Sequence, residues 1–232
     1  MREKSHYLKY TLFTVLLVLL IDQAIKIYVK THFMLSEEHN IAGNCFIIHF
    51  TENRGMAFGM EFGGDYGKIT LSVFRILAAI FGVYYIGRII KTKQHIGYVL
   101  CVALIFAGAV GNIIDSMLYG LLFSNSDFQL AGFMPAEGGY AGFLHGHVVD
   151  MFYFPLIDGT FPKWFPVWGG EPFQFFRPVF NFADASISMG VILILIFQKR
   201  FFAQPTPAKI DTGADTTIDP ESQTPGTDQA LK

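Results

Sequence analysis

Long apolar runs alternate along this chain with polar, glycine-rich and aromatic breaks, and the lengths of the runs decide what they are. Apolar residues dominate from Leu8 to Val29, Ile69 to Ile90, Ile96 to Leu118 and Val179 to Phe197. Each is near the ~20 residues a helix needs to cross a bilayer, so the pattern predicts spanning helices at about 8–29, 69–90, 96–118 and 179–197. The first run follows a basic start, Arg2 and Lys4, as a secretory leader does. No small-residue cleavage site comes after it and the pattern continues past Asp22, so it reads as an uncleaved helix.

Lys and Arg orient the four spans. Arg2, Lys4 and Lys9 precede the first, Arg88, Lys91 and Lys93 separate the second from the third, and Lys199 and Arg200 close the fourth. Basic residues stay on the cytoplasmic side, which puts both termini there and the segments 30–68 and 119–178 outside. In the first outer segment Cys45 to Phe50 is a short β-like run, predicting a small sheet at the membrane surface. The second is dense in Gly, Pro and aromatics, notably Phe161 to Trp168 and Phe173 to Phe176, a composition suited to lying in the headgroup region. From Gln204 the chain turns to Thr, Pro, Asp and Gly and is expected to be a disordered cytoplasmic tail. The expected fold is therefore an all-α membrane domain over 1–203, with four transmembrane helices, a small extracytoplasmic β-rich element and an interfacial aromatic loop.

Composition agrees: 52% of residues are hydrophobic and 16% charged, too apolar for an ordinary soluble domain. A net charge of -2 offers no basic surface for nucleic acid. Cys45 and Cys101 have neither the number nor the spacing of a disulfide framework or metal motif.

Against this background acids stand out. Asp184 runs directly into the last apolar stretch, and Asp22, Asp115 and Asp150 lie inside or beside apolar segments at the same outer level. A charged side chain at membrane depth costs about 2.5–3.5 kcal/mol on insertion scales, so each is a candidate functional residue. Asn112 and Asp115 are three apart, as are Asn181 and Asp184, and each pair shares a helical face expected to point inward. Asp22 and Lys26, four apart, read as a structural ion pair. Ala103, Ala107 and Gly111 form a small-residue stripe that permits close helix approach. His145, His147, Asp150 and Glu137 lack zinc-hydrolase spacing, and Ser186 and Ser188 have no basic partner on their helix, so neither metal nor cofactor is expected. What remains is a carboxylate pair sharing one proton, which supplies a general acid and a general base. Spacing alone leaves open which two of the four acids meet.

Five motifs, taken in order, resemble those of the lipoprotein signal peptidases, or signal peptidase II, of bacterial inner membranes. Asp22-Gln23-Ala24-Ile25-Lys26 is similar to that family's Asp-Gln-x-x-Lys, Asn53-Arg54-Gly55-Met56-Ala57-Phe58 to its Asn-x-Gly-x-Ala-Phe, and Phe180-Asn181-Phe182-Ala183-Asp184 to its Phe-Asn-x-Ala-Asp. Val148-Val149-Asp150 resembles its Val-x-Asp, and Gly111-Asn112-Ile113-Ile114-Asp115 the start of its Gly-Asn-x-x-Asp-Arg. The resemblance implies an aspartic endopeptidase acting on diacylglyceryl-modified prolipoproteins before the lipidated cysteine, without a cofactor. It further implies a monomer that contacts membrane lipids and no nucleic acid, in the inner membrane with the site near the outer face. By it, Asp150 and Asp184 are catalytic, Asn53, Gly55, Asn112 and Asn181 line the site, and Asp22, Lys26 and Asp115 support its shape. Ser116 departs from the pattern, standing where the family usually has Arg and leaving Arg54 or Arg177 as candidate replacements. The segments flanking Asp150 are also longer than is usual. A different class, a small proton-coupled transporter or helper subunit relaying protons through the same acids, is the alternative.

Overall fold

The structure, a computed structural model, describes residues 2–43, 45–53, 64–155, 157–175 and 178–203. Gly55, Arg54, Arg177 and the tail from Gln204 lie outside the described residues. Among the described residues four helices are long and apolar enough to cross a membrane. They are α1 (Arg2–His32), α2 (Gly64–Lys91), α3 (Ile96–Ile114) and α5 (Phe182–Phe201). Helix α3 runs on through a π-helical turn, Asp115–Tyr119, into the single turn α4 (Gly120–Leu122). Their outward faces carry large apolar side chains, such as Phe13, Leu20, Phe74, Phe81 and Ile196, as a lipid solvent requires.

Helices α1, α3 and α5 pack around small residues. A Cβ on Gly108 would lie 2.3 Å from the Ala183 carbonyl oxygen, and one on Gly111 would lie 2.7 Å from Asp22 Oδ2. With no hydrophobic drive between helices in lipid, this close backbone approach is what lets them associate.

Above the helices, β1 (Glu38–Ala42), β2 (Phe46–Asn53), β3 (Val148–Tyr153) and β6 (Val179–Phe180) form a sheet in the order β1-β2-β3-β6. All its pairs are antiparallel, and Thr51 sits opposite Asp150 in the β2–β3 register. The apolar sides of β2 and β3, Phe50, Val149 and Met151, pack with Val29, Tyr119 and Phe123 in a core at the C-terminal end of α1. A second hairpin, β4 (Ile157–Thr160) with β5 (Pro172–Phe175), leads into a knot of Phe161, Phe165 and Trp168 rings, with Trp164 79% exposed.

Two expectations are corrected. The last helix starts at Phe182, not 179, because Val179 and Phe180 pair with Tyr153 and Phe152 as a strand and Asn181 caps the helix. The segment 119–178 is also not only an aromatic loop: it contributes β3, β4 and β5, and the two residues after it form β6. The first two helices extend beyond their apolar runs at both ends, and the third starts at Ile96 and reaches Leu122 only through the π-helical turn.

Candidate active site

Each acid is placed by a different local device. Asp184 is the third residue of α5 and closes a capping box. The Asn181 Oδ1 accepts from the Asp184 backbone N–H at 2.9 Å while the Asp184 carboxylate accepts from the Asn181 N–H at 3.4 Å. This satisfies N–H groups the helix start would leave orphaned and fixes the Asp184 side chain against the end of the sheet. Asp150 comes from the middle of β3, where its neighbours Val149 and Met151 go into the core. Asp115 opens the π-helical turn, a local widening that carries Asp115, Ser116 and Tyr119 inward together.

Side-chain amides tie these acids together. Asn181 Nδ2 donates to Asp150 Oδ1 at 2.7 Å and to Asn112 Oδ1 at 3.1 Å. Asn112 Nδ2 donates to Asp184 Oδ1 at 2.8 Å. Asn53, at the end of β2, adds a side-chain hydrogen bond to Asp150. Asp150 and Asp184 thus sit at the two ends of one amide bridge.

Behind the bridge lies a buried charge cluster. Lys26 Nζ contacts Asp22 Oδ2 at 2.9 Å, Asp115 Oδ2 at 2.8 Å and Asn112 Oδ1 at 2.8 Å, and neither Lys26 nor the two acids has any exposed side-chain surface. Gln23 Nε2 donates to Asp115 Oδ1 at 2.9 Å and Asp22 Oδ2 at 3.1 Å, and Tyr119 donates its hydroxyl proton to Gln23 Oε1 at 3.1 Å. Asp22 Oδ1 also accepts the Ala183 backbone N–H at 2.9 Å, so the first helix holds the start of the last. An ion pair in this setting survives desolvation only because its remaining lone pairs are met by hydrogen bonds, as they are here.

Burial, and then the neighbouring charge of Asp184, lift the Asp150 carboxyl from its ordinary 3.8 to about 7, against the opposing hydrogen bond from Asn181. A carboxyl that keeps its proton near neutrality, beside a second carboxyl, is equipped for proton transfer in both directions.

The structure therefore brings together Asn53, Asn112, Asn181, Asp150 and Asp184, with Asp22, Lys26 and Asp115 as the layer beneath. His145 and His147 point to separate partners, the Phe143 carbonyl oxygen and the Glu52 carboxylate. Among the described residues no group of three or more His, Cys, Asp or Glu is arranged to hold a metal ion. Sequence reading missed Gln23 and Tyr119 as members of the cluster. It also missed Arg75 on α2, whose guanidinium Nη1 donates to Ser116 Oγ at 3.4 Å. An Arg in the first half of the second apolar run, away from its basic end, was the available signal, by the same logic that singled out Asp184.

Residues 14–200 match the sequence model of the family described as signal peptidase (SPase) II. The chain belongs to the signal peptidase II family. A lipoprotein signal peptidase of Porphyromonas gingivalis is 49% identical over 208 residues, covering 89% of this chain and 90% of that one. Another from Amoebophilus asiaticus is 34% identical, covering 82% and 78%. Two bacterial membrane enzymes solved by the in meso method share the fold. One has a TM-score of 0.57 at 23% identity, covering 86% of this chain and 94% of its own, and the other 0.54 at 25%, covering 81% and 91%. Signal peptidase II membership makes this chain a multi-pass bacterial membrane protease, and it gives no support to the transporter alternative.

Proposed function

We propose that this signal peptidase II is an aspartic endopeptidase that removes the signal peptide from diacylglyceryl-modified prolipoproteins, cutting just before the lipidated cysteine. The observation that carries this reading is the amide bridge that joins Asp150 and Asp184 through Asn181 and Asn112. The pair holds one proton between its members. Asp150, protonated up to about pH 7, donates to the scissile carbonyl oxygen, while Asp184 takes a proton from the attacking water. Asp184 then passes its proton to the leaving amide nitrogen as the C–N bond breaks, a hydroxyl of the tetrahedral intermediate returns a proton to Asp150 as the carbonyl reforms, and the pair ends in its starting state. Asn53, Asn112 and Asn181 keep both carboxyls oriented, and the Asp22, Lys26 and Asp115 cluster holds the shape.

We further infer both termini to be cytoplasmic and the active site to lie near the outer face, from the Lys and Arg distribution. The exposed Trp164 and Trp168 then sit at the outer headgroup level, while the substrate's acyl chains stay in lipid. The purified full-length protein in detergent, given a diacylated prolipoprotein, tests the mechanism. Asp150→Asn and Asp184→Asn should each keep the fold and lower turnover by several orders of magnitude, since either change destroys the shared proton. Near-parental cleavage by both folded variants rules the aspartic mechanism out.

A further inference from the structure

Arg75 lies within the apolar span Ile69–Lys91, beside Phe74 and near Leu77, which face outward. Its own side chain is half-buried and turns inward to the Ser116 hydroxyl, and the charges of Asp184, Asp115 and Asp150 act on its guanidinium. A guanidinium within an apolar span carries an insertion cost, and this one lies within electrostatic reach of the acids.

Lys26 cannot serve substrate in its place. Its ammonium meets Asp22, Asp115 and Asn112, which accounts for all the protons it has to donate. At position 116 the side chain is small and already ordered. Ser116 Oγ donates to the Asn112 carbonyl oxygen at 3.0 Å, leaving its lone pairs to face Arg75. The short serine makes the space into which the guanidinium reaches. An arginine growing from position 116 would bring its own guanidinium to the same region, from α3 instead of α2.

We propose that Arg75 is the substrate-positioning cation of this site: reaching from α2 over Ser116, its guanidinium takes a carbonyl oxygen of the bound substrate and holds the scissile peptide against Asp150 and Asp184. This rests on the peptidase reading of the acid pair. The planar, weakly hydrated guanidinium suits the task, because it donates to neutral oxygens in a water-poor interface without the hydration loss an ammonium incurs. The carbonyl belongs either to the peptide backbone or to a glyceryl ester of the lipidated cysteine, which are the same acceptor chemistry.

The test measures KM and kcat for cleavage of a diacylated prolipopeptide by full-length protein in lipid nanodiscs, with melting temperature followed in parallel. Arg75→Gln should raise KM about ten-fold or more, the worth of a charge-assisted hydrogen bond, with a smaller change in kcat. Arg75→Lys should recover part of the loss. The double variant Arg75→Gln, Ser116→Arg should recover most of it, which a residue serving only to clamp α2 against α3 would not allow. Repeating the series on a substrate with ether-linked alkyl chains assigns the oxygen: a penalty that persists marks the peptide carbonyl, and one that vanishes marks the ester. A KM for Arg75→Gln within about two-fold of the parent's overturns the proposal. So does a loss that follows melting temperature and that Ser116→Arg leaves unrescued. Failure of the underlying mechanism reads differently, since it would show as normal cleavage by Asp150→Asn and Asp184→Asn.

Discussion

Asp150 shows how one side chain can connect stability to catalysis. Its carboxyl is buried and faces the negative charge of Asp184, while Lys26 and the Asn181 and Asn53 hydrogen bonds favour its anion less strongly. With a folded value near 7 and an ordinary value of 3.8, the native protein binds this proton more tightly than the unfolded chain does. The sign follows: this residue's contribution to stability is complete at acid pH, falls as pH rises from about 4 to about 7, and is level above. The proposed mechanism uses the same proton. The kcat/KM of the parent should therefore decline on the alkaline side with a midpoint near 7, and Asp150→Asn should flatten the pH dependence of melting temperature between those limits. A parental rate that holds level up to pH 9 would show that this proton is not the catalytic one.

At the scale of elements, the geometry of the pair depends on how closely α3 meets α5. A methyl at Gly108 would fall 2.3 Å from the Ala183 carbonyl oxygen, a backbone atom that cannot swing aside, so α5 has to shift, and Asp184 with it. Gly87, on α2, has nothing within 4 Å of an added Cβ. Alanine is favoured over glycine in a helix by about 1 kcal/mol, so at Gly87 that preference wins and at Gly108 the clash does. Turnover and melting temperature of the two variants check this. Gly108→Ala is expected to lose at least about ten-fold in turnover and to melt lower, and Gly87→Ala to match or exceed the parent.

The same scale shows what could be read from the chain beforehand. The four spans were legible because a helix apolar on every face for about twenty residues suits lipid and little else, and the inward acids because their cost in lipid demands a role. The helix start at Phe182 was not. Val179 and Phe180 are as apolar as the helix that follows, and only their pairing with Phe152 and Tyr153, far back in the chain, makes them a strand. Asn181 was expected to line the site, but its capping role depends on that boundary. Which acids pair was equally invisible to periodicity, since Asp150 sits on a strand and the partners it could meet sit on helices. The resemblance supplied the choice, and the amide bridge supplies its physical basis. The departures flanking Asp150 also acquire a structural sense. The 123–147 excursion brings Ser126 and His147 to Glu52, which pairs with buried Lys30 at the end of α1. Burial alone would raise the Glu52 carboxyl, but His147, the charge of Lys30 and Ser126 together hold it down at about 2. The long segment thus fastens β2, and with it Asn53, to the helices.

For the whole molecule the testable quantity is orientation. A single cysteine at position 164, in a chain with Cys45 and Cys101 replaced, should react in intact spheroplasts with a thiol reagent that cannot cross the membrane, because Trp164 is exposed and the proposed topology puts it outside. Labelling only after the membrane is breached would invert the topology inferred here. Orientation also bears on how the site is first made. The hydrogen bond from the Ala183 backbone to Asp22 joins the earliest and the latest spans of the fold, 161 residues apart in sequence. Translation delivers these spans to the bilayer in order, N-terminal first. Lys26 can meet Asp22 within one helix and Asp115 once the third has arrived, so the costly charges are neutralised early. Asp150, by contrast, waits for a partner made some thirty residues later, so on the proposed mechanism the nascent chain cannot cut until its last span has arrived.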